Sequence, residues 1–219
     1  MASKQKQVDW PECQLMLIIE PGPGARECLR AACDVATVAA VLIRPKAGDR
    51  LGAGEIKPLV DLAQDQGAAA LVFEDAELAK IVRADGVHLP AGLSVRDRVE
   101  AARAVLGADA SIGIDAGGSR HAAMEAGEAG AEYVAFGIGD GSDAALAARD
   151  ELIAWWGEIF EVPCVALDLG SADDVRAANR NGADFAALQL AAGASLNAVA
   201  TLAGDADMAL LAGTGAEGA

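Results

Sequence analysis

Short apolar runs alternate with amphipathic stretches along almost the whole chain, and this rhythm restricts the fold more than any other feature. The runs are Leu15–Ile19, Val38–Ile43, Ala69–Phe73, Gly86–Leu89, Ser111–Ile114, Tyr133–Phe136, Cys164–Leu167 and Phe185–Leu190. Most are apolar throughout, as strands buried on both faces of a parallel sheet must be. The stretches between them carry helical stripes. Ile56, Leu59, Val60 and Ala63 recur at i, i+3, i+4, i+7, as do Leu152, Trp155, Trp156 and Ile159. Val95, Val99, Ala102 and Leu106 form a third stripe. Ser94 before Asp97 and Ser171 before Asp174 read as helix starts of capping-box type, with Asp in the Glu role.

Eight strand signals and eight helix signals in 219 residues predict an α/β chain folded as a single-domain (β/α)8 TIM barrel. A doubly wound open sheet is the main alternative. The third helix, Glu77 to Arg83, is short and is the weak point of this count. No linker or composition break divides the chain, so the barrel is expected over 13–212. An N-terminal extension (1–12) precedes it, and a Gly-rich flexible tail (213–219) follows.

The formal net charge of −16 opposes binding to phosphate backbones and to anionic membranes, so neither nucleic acid nor membrane is an expected partner. No apolar run approaches the roughly 18 residues of a membrane span. Met1 to Gln7 lacks the apolar core of a secretory signal. Cys13, Cys28, Cys33 and Cys164 form no CxxC pair and no zinc-type spacing with His88 and His121. They read as reduced thiols in a cytoplasmic protein.

Barrels of this kind carry their chemistry at the C-terminal strand ends. The residues just after the strands are Glu20, Arg44, Lys46, Glu74, Asp75, His88, Asp115, Asp140 and Asp168. Six are carboxylates and two are permanent cations. Such a rim suits a charged ligand or Mg²⁺, which binds one or two carboxylates plus substrate phosphate. Arg44 could clamp a phosphate through parallel hydrogen bonds, with Lys46 as a point charge beside it. Any single acid here could equally cap the helix that follows, Asp75 above all. His88 could carry a proton or serve only as a structural residue. The glycines of Gly137–Ile–Gly139 could present backbone N–H groups to an anion, although Asp140 and Asp143 oppose one. Read as a dinucleotide turn this segment is weak, because no acid ends a strand about 20 residues later.

The stretch Ala84–Asp–Gly–Val–His–Leu89, with Leu42–Ile–Arg–Pro–Lys46 and Phe73–Glu–Asp75 before it, resembles the thiamine phosphate synthase family and the related thiazole tautomerase. Ser111–Ile114, Gly130–Gly137, Val162–Leu167 and Asn181–Asp184 continue the likeness over nearly the whole chain. The resemblance implies condensation of a pyrimidine diphosphate with a thiazole phosphate, assisted by Mg²⁺. It implies substrate contacts at Arg44, Lys46, Glu74, His88, Asp115, Gly137, Gly139 and Asp168, and a metal ligand at Asp75.

The chain also departs from the family pattern. Leu42 and Glu74 stand where Gln and Asn are usual. Pro90–Leu93 lacks the second metal-binding Asp. Asp115 replaces a Ser, and Gly117 takes the place of a tautomerase His. Gly139–Asp143 replaces a Thr/Lys phosphate loop, and Asp168–Leu169 a Gly–Gly grip. The Ser expected near the end of the eighth strand is an apolar residue or Gln189. Carboxylates at phosphate positions add repulsion. The leading expectation is therefore a barrel of this family with an eroded site, binding a small phosphorylated or heterocyclic ligand. An active thiamine phosphate synthase and a different metal or acid–base enzyme are the alternatives. A homodimer, with Trp155–Trp156 at its surface, is a further expectation.

Overall fold

A computed structural model describes residues 13–137 and 142–212. The strands are β1 (Gln14–Ile19), β2 (Val38–Ile43), β3 (Ala69–Phe73), β4 (Gly86–Leu89), β5 (Ser111–Asp115), β6 (Tyr133–Phe136), β7 (Cys164–Leu169) and β8 (Phe185–Gln189). Each is followed by a helix: α1 (Ala25–Cys33), α2 (Ala53–Asp65), α3 (Ala76–Val82), α4 (Val95–Leu106), α5 (Arg120–Glu128), α6 (Asp143–Ile159), α7 (Ala172–Arg180) and α8 (Leu196–Leu211). All strand pairs are parallel, and β8 pairs with β1 to close the barrel. The open sheet is thereby set aside. The extension (1–12) and the tail (213–219) lie outside the described residues. No helix among the described residues is long and apolar enough to cross a membrane.

Strand side chains alternate between two cores. Met16, Ile18, Ala40, Leu42, Leu71, Tyr133, Ala135, Val165, Leu167 and Ala187 fill the barrel interior. Residues of the other parity, such as Leu15, Leu17, Val41 and Val72, pack outward against the helices. Being apolar on both faces, the strands lack polar alternation for this reason. The stripe Ile56, Leu59, Val60 and Ala63 is wholly buried. On α6 the expected stripe holds at Leu152 and Trp156 but fails at Ile159, which is 61% exposed because the helix ends there. Trp156 stacks on Phe160, and Trp155 lies under the Arg120 guanidinium, 4.7 Å from its ring centre.

The two expected capping boxes part company. The Ser171 hydroxyl accepts from the Asp174 amide (3.2 Å) and donates to the Asp174 carboxylate (2.8 Å). Ser94 instead adopts a left-handed backbone (φ 54°) and makes no side-chain cap bond. All four cysteines are free thiols, and burial pushes Cys13 and Cys164 up to about 12.

The base of the barrel shows a device that hydrophobic periodicity does not reveal. Arg83, Gly130 and Gly182 leave their helices in the left-handed conformation, and each is followed by Ala and then an acid. The acids open β4, β6 and β8. Each accepts the amide at the start of the preceding strand: Asp85 from Ala70, Glu132 from Ile112, Asp184 from Cys164, all at 2.7 Å. Arg103 reinforces one of them, donating to Glu132 and to the carbonyl of Ala110.

Candidate active site

Strand parity determines which residues reach the barrel mouth. Arg44 continues the inward series Ala40, Leu42; Asp115 lies two residues beyond Gly113; Gly137 lies two beyond Ala135; Gln189 lies two beyond Ala187. Asp168 has the wrong parity, since Val165 and Leu167 already face inward. The β7–β8 register shifts between Ala166 and Leu169, and Asp168 takes a left-handed backbone (φ 60°). This irregularity turns its side chain into the mouth, while Leu169 packs into the outer core.

At the centre, Arg44 Nη2 donates to Asp168 Oδ1 (2.5 Å) and to Gln189 Oε1 (2.6 Å). Asp115 Oδ1 accepts from the amides of Gly117 (2.7 Å) and Gly137 (3.3 Å). The Gly137 N–H that could have met an anion is therefore already given to the protein's own carboxylate. A Cβ on Gly137 would lie 3.1 Å from Asp115 Oδ2 and 3.7 Å from Asp168 Oδ2, so both carboxylates crowd the same glycine. Burial raises the Asp115 carboxyl above its ordinary value. The two backbone hydrogen bonds oppose this, Asp168 adds to it and Arg44 counters it.

His88 lies deeper, 1% exposed, with Nδ1 2.9 Å from the Tyr133 hydroxyl. Its ring stacks between Phe73 and Tyr133, at centroid distances of 6.1 and 5.8 Å. Burial, aided by the charges of Arg44 and Arg98, pushes the imidazole down to about 3, so the ring is neutral at physiological pH. Burial also pushes the Tyr133 phenol up. The register explains the meeting: His88 pairs with Gly113, and Gly113 with Tyr133. A Cβ on Gly113 would overlap the Tyr133 ring, so the glycine between them makes the room.

A cleft of about 730 Å³ opens at the shoulder of the mouth, among the loops after β2 and β3, the end of β4 and one side of α4. Glu74 and Asp75 line it, together with Asp49, Arg50, Phe73, Glu77, Leu89 and Arg98. Asp75 caps α3, its Oδ1 accepting from the Leu78 amide (2.8 Å). Glu74 is left-handed (φ 64°) and exposed.

Of the residues singled out from sequence, Arg44, Asp115, Gly137 and Asp168 thus meet at one point. His88 lies beneath them, and Glu74 and Asp75 stand in the adjoining cleft. Lys46 is exposed in a turn closed by the Asp49 amide and does not join the Arg44 cluster. Gly139 and Asp140 lie outside the described residues. Sequence reasoning overlooked Tyr133 and Arg98, and met Gln189 only as a departure from the family pattern. Parity counted from Leu42 and Ala187, and the small residue between His88 and Tyr133, were the available signals.

Comparison with known proteins agrees with this architecture. The family described as thiamine monophosphate synthase matches residues 15–192. The thiamine-phosphate synthase of Erythrobacter litoralis is 40% identical over 161 residues, covering 69% of this chain and 72% of that protein. That of Rhodospirillum centenum is 38% identical over 184 residues, covering 81% and 87%. Among solved structures, the thiamine phosphate pyrophosphorylase from Pyrococcus furiosus superposes with a TM-score of 0.72 at 24% identity, covering 92% of this chain and 97% of that one, a likeness of fold. A family match across most of the barrel, joined to relatives of this similarity, makes the chain a member of the thiamine monophosphate synthase family.

Proposed function

We propose that this chain is an active thiamine-phosphate synthase, joining a pyrimidine diphosphate to a thiazole phosphate and releasing diphosphate. One observation carries the reading: Arg44 faces into the mouth beside His88 and Asp115, in a chain that aligns over 81% of its length with a relative bearing that name. The leaving diphosphate gathers negative charge as its bond to the pyrimidine methylene breaks, and fixed cations near that oxygen lower the barrier. Both Arg44 bonds use Nη2, so its Nη1 and Nε donors are uncommitted to Asp168 and Gln189. The Phe73 ring, backed by the neutral His88, lines the cleft and offers a flat wall to a heterocycle.

Mg²⁺ fits the donors present. Glu74 and Asp75 are exposed hard-oxygen ligands on the cleft, and only Asp75 Oδ1 is spent on the helix cap. Among the described residues no group of three or more His, Cys, Asp or Glu could hold a metal. An ion held by these two carboxylates would take the rest of its shell from substrate phosphate and water. Bound there, it would neutralise charge on the departing diphosphate. The reaction would run in the cytoplasm on small molecules. A homodimer through the outer helices belongs to the same proposal, and a light-scattering mass of one chain would remove it.

The eroded-site reading has one observation in its favour, the capture of Arg44 by Asp168. Incubating the protein with both substrates and Mg²⁺, then oxidising the product to a fluorescent thiochrome, separates the two. Synthase activity predicts product that falls at least about 100-fold in Arg44→Ala, the scale expected for one oxyanion-binding group. Folded protein that yields none would leave a ligand-binding barrel.

A further inference from the structure

The side chains of His88 and Tyr133 are each other's only hydrogen-bond partner among the described residues, and both are buried. The bond between them has two possible senses. If Nδ1–H donated to the phenol oxygen, the buried O–H would keep a proton with no acceptor, and would bear the full cost of its desolvation. If the phenol donates, its proton and the Nδ1 lone pair are both satisfied. The bond made by one ring nitrogen sets the state of the other. The single proton of the neutral ring then sits on Nε2, which has no protein partner among the described residues. The charge state agrees, since burial and the nearby guanidinium groups of Arg44 and Arg98 keep the ring neutral. Strand parity gives that unpaired donor a use. Val87 and Leu89 pack outward against the helices, so His88 is the last inward-facing residue of β4 and its ring closes the barrel interior under the mouth. Phe73, which ends β3 and pairs with His88, stacks on the imidazole and lines the cleft. A heterocycle nitrogen carries its lone pair in the ring plane, and a neutral N–H is the donor that such a lone pair accepts.

We propose that Tyr133 is a positioning residue: it locks His88 as the Nε2–H tautomer, so that the floor of the mouth offers a neutral donor, and no base, to a ring nitrogen of the pyrimidine substrate. The identity of that substrate rests on the synthase reading above, whereas the lock itself does not. Gly113 is part of the device, because a side chain there would overlap the Tyr133 ring and part it from His88.

Nitrogen NMR of histidine-labelled protein tests the lock directly, since the only other histidine is His121, exposed on α5. At neutral pH wild type should show His88 as one tautomer, Nε2 protonated and Nδ1 bare. Tyr133→Phe should turn that signal into an exchanging mixture of both tautomers. Adding the pyrimidine diphosphate with Mg²⁺ should shift the wild-type Nε2 resonance, and thiazole phosphate alone should leave it in place. In turnover, Tyr133→Phe should raise the KM for pyrimidine diphosphate about threefold to tenfold, the scale of one neutral hydrogen bond, with the KM for thiazole phosphate unchanged. A proton on Nδ1 in wild type, a tautomer unchanged in Tyr133→Phe, or an Nε2 resonance indifferent to the pyrimidine would each overturn the proposal; the first and last need no variant. A rise in both KM values that follows a lowered melting temperature would also overturn it, by reducing Tyr133 to a packing residue. A locked Nε2–H that responds to the pyrimidine in protein without turnover would instead sink the synthase reading and leave the lock standing.

Discussion

Asp168 combines two costs in one residue: a left-handed backbone without glycine, and a carboxylate drawn to the Arg44 guanidinium at the centre of the mouth. Its removal should therefore be informative. In Asp168→Gly the backbone strain is relieved by about 1 kcal/mol, which offsets loss of the partly exposed ion pair. The melting temperature is expected to stay within a few degrees, while the KM for the pyrimidine diphosphate falls severalfold because Arg44 is released. An unchanged or higher KM would show that Asp168 positions Arg44 productively. His88 gives a second prediction, read in pH. Its ring titrates near 6.5 when unfolded and near 3 when folded, so the folded state resists protonation. The corresponding stability is complete above pH 6.5 and is lost between 6.5 and 3, at about 1.4 kcal/mol per pH unit. Denaturant melts at stepped pH should show this slope, and His88→Gln should flatten it. A slope that survives the substitution would have to come from other groups.

At the scale of elements, the two serine starts show why sequence patterns decide only part of the outcome. Ser171 and Ser94 each precede an acid by three residues and open helices α7 and α4, yet only Ser171 caps. The chain enters α4 after Pro90–Leu93 in a left-handed turn that aims the Ser94 hydroxyl away from the helix amides. Substitution by glycine should separate them. Ser94→Gly is expected to gain about 1 kcal/mol by relieving the positive φ. Ser171→Gly should lose a few tenths to about 1 kcal/mol with its cap. Opposite signs in thermal melts would agree with this account, and equal signs would contradict it. Strand positions were legible because β2, β3, β4 and β6 announce themselves by short, buried, mostly apolar runs. The extra residues of β5 and β7, Asp115 and Asp168–Leu169, were not legible, because polar strand ends look like loops and a register shift leaves no mark in hydropathy.

Over the whole molecule, the mouth was readable as a ring of charged strand ends, and the structure sorts that ring by direction. Arg44, Asp115 and Asp168 converge, Lys46 stays outside, and Glu74 and Asp75 serve a cleft to one side. Contacts across strands, such as His88 with Tyr133 over Gly113, depend on the register between strands, which local pattern does not encode. The carboxylates at the base have a different consequence. Asp85, Glu132 and Asp184 bind β4 to β3, β6 to β5 and β8 to β7, whereas among the described residues no side chain bonds the strand amides in this way at β2–β3, β4–β5 or β6–β7. The barrel thus has a grain of two-strand modules. Chimaeras with a relative should inherit both ends of each tie when the crossover falls between α6 and β7. A crossover within α7 would take the two ends of the Asp184–Cys164 bond from different parents, so recombination itself could read out the grain.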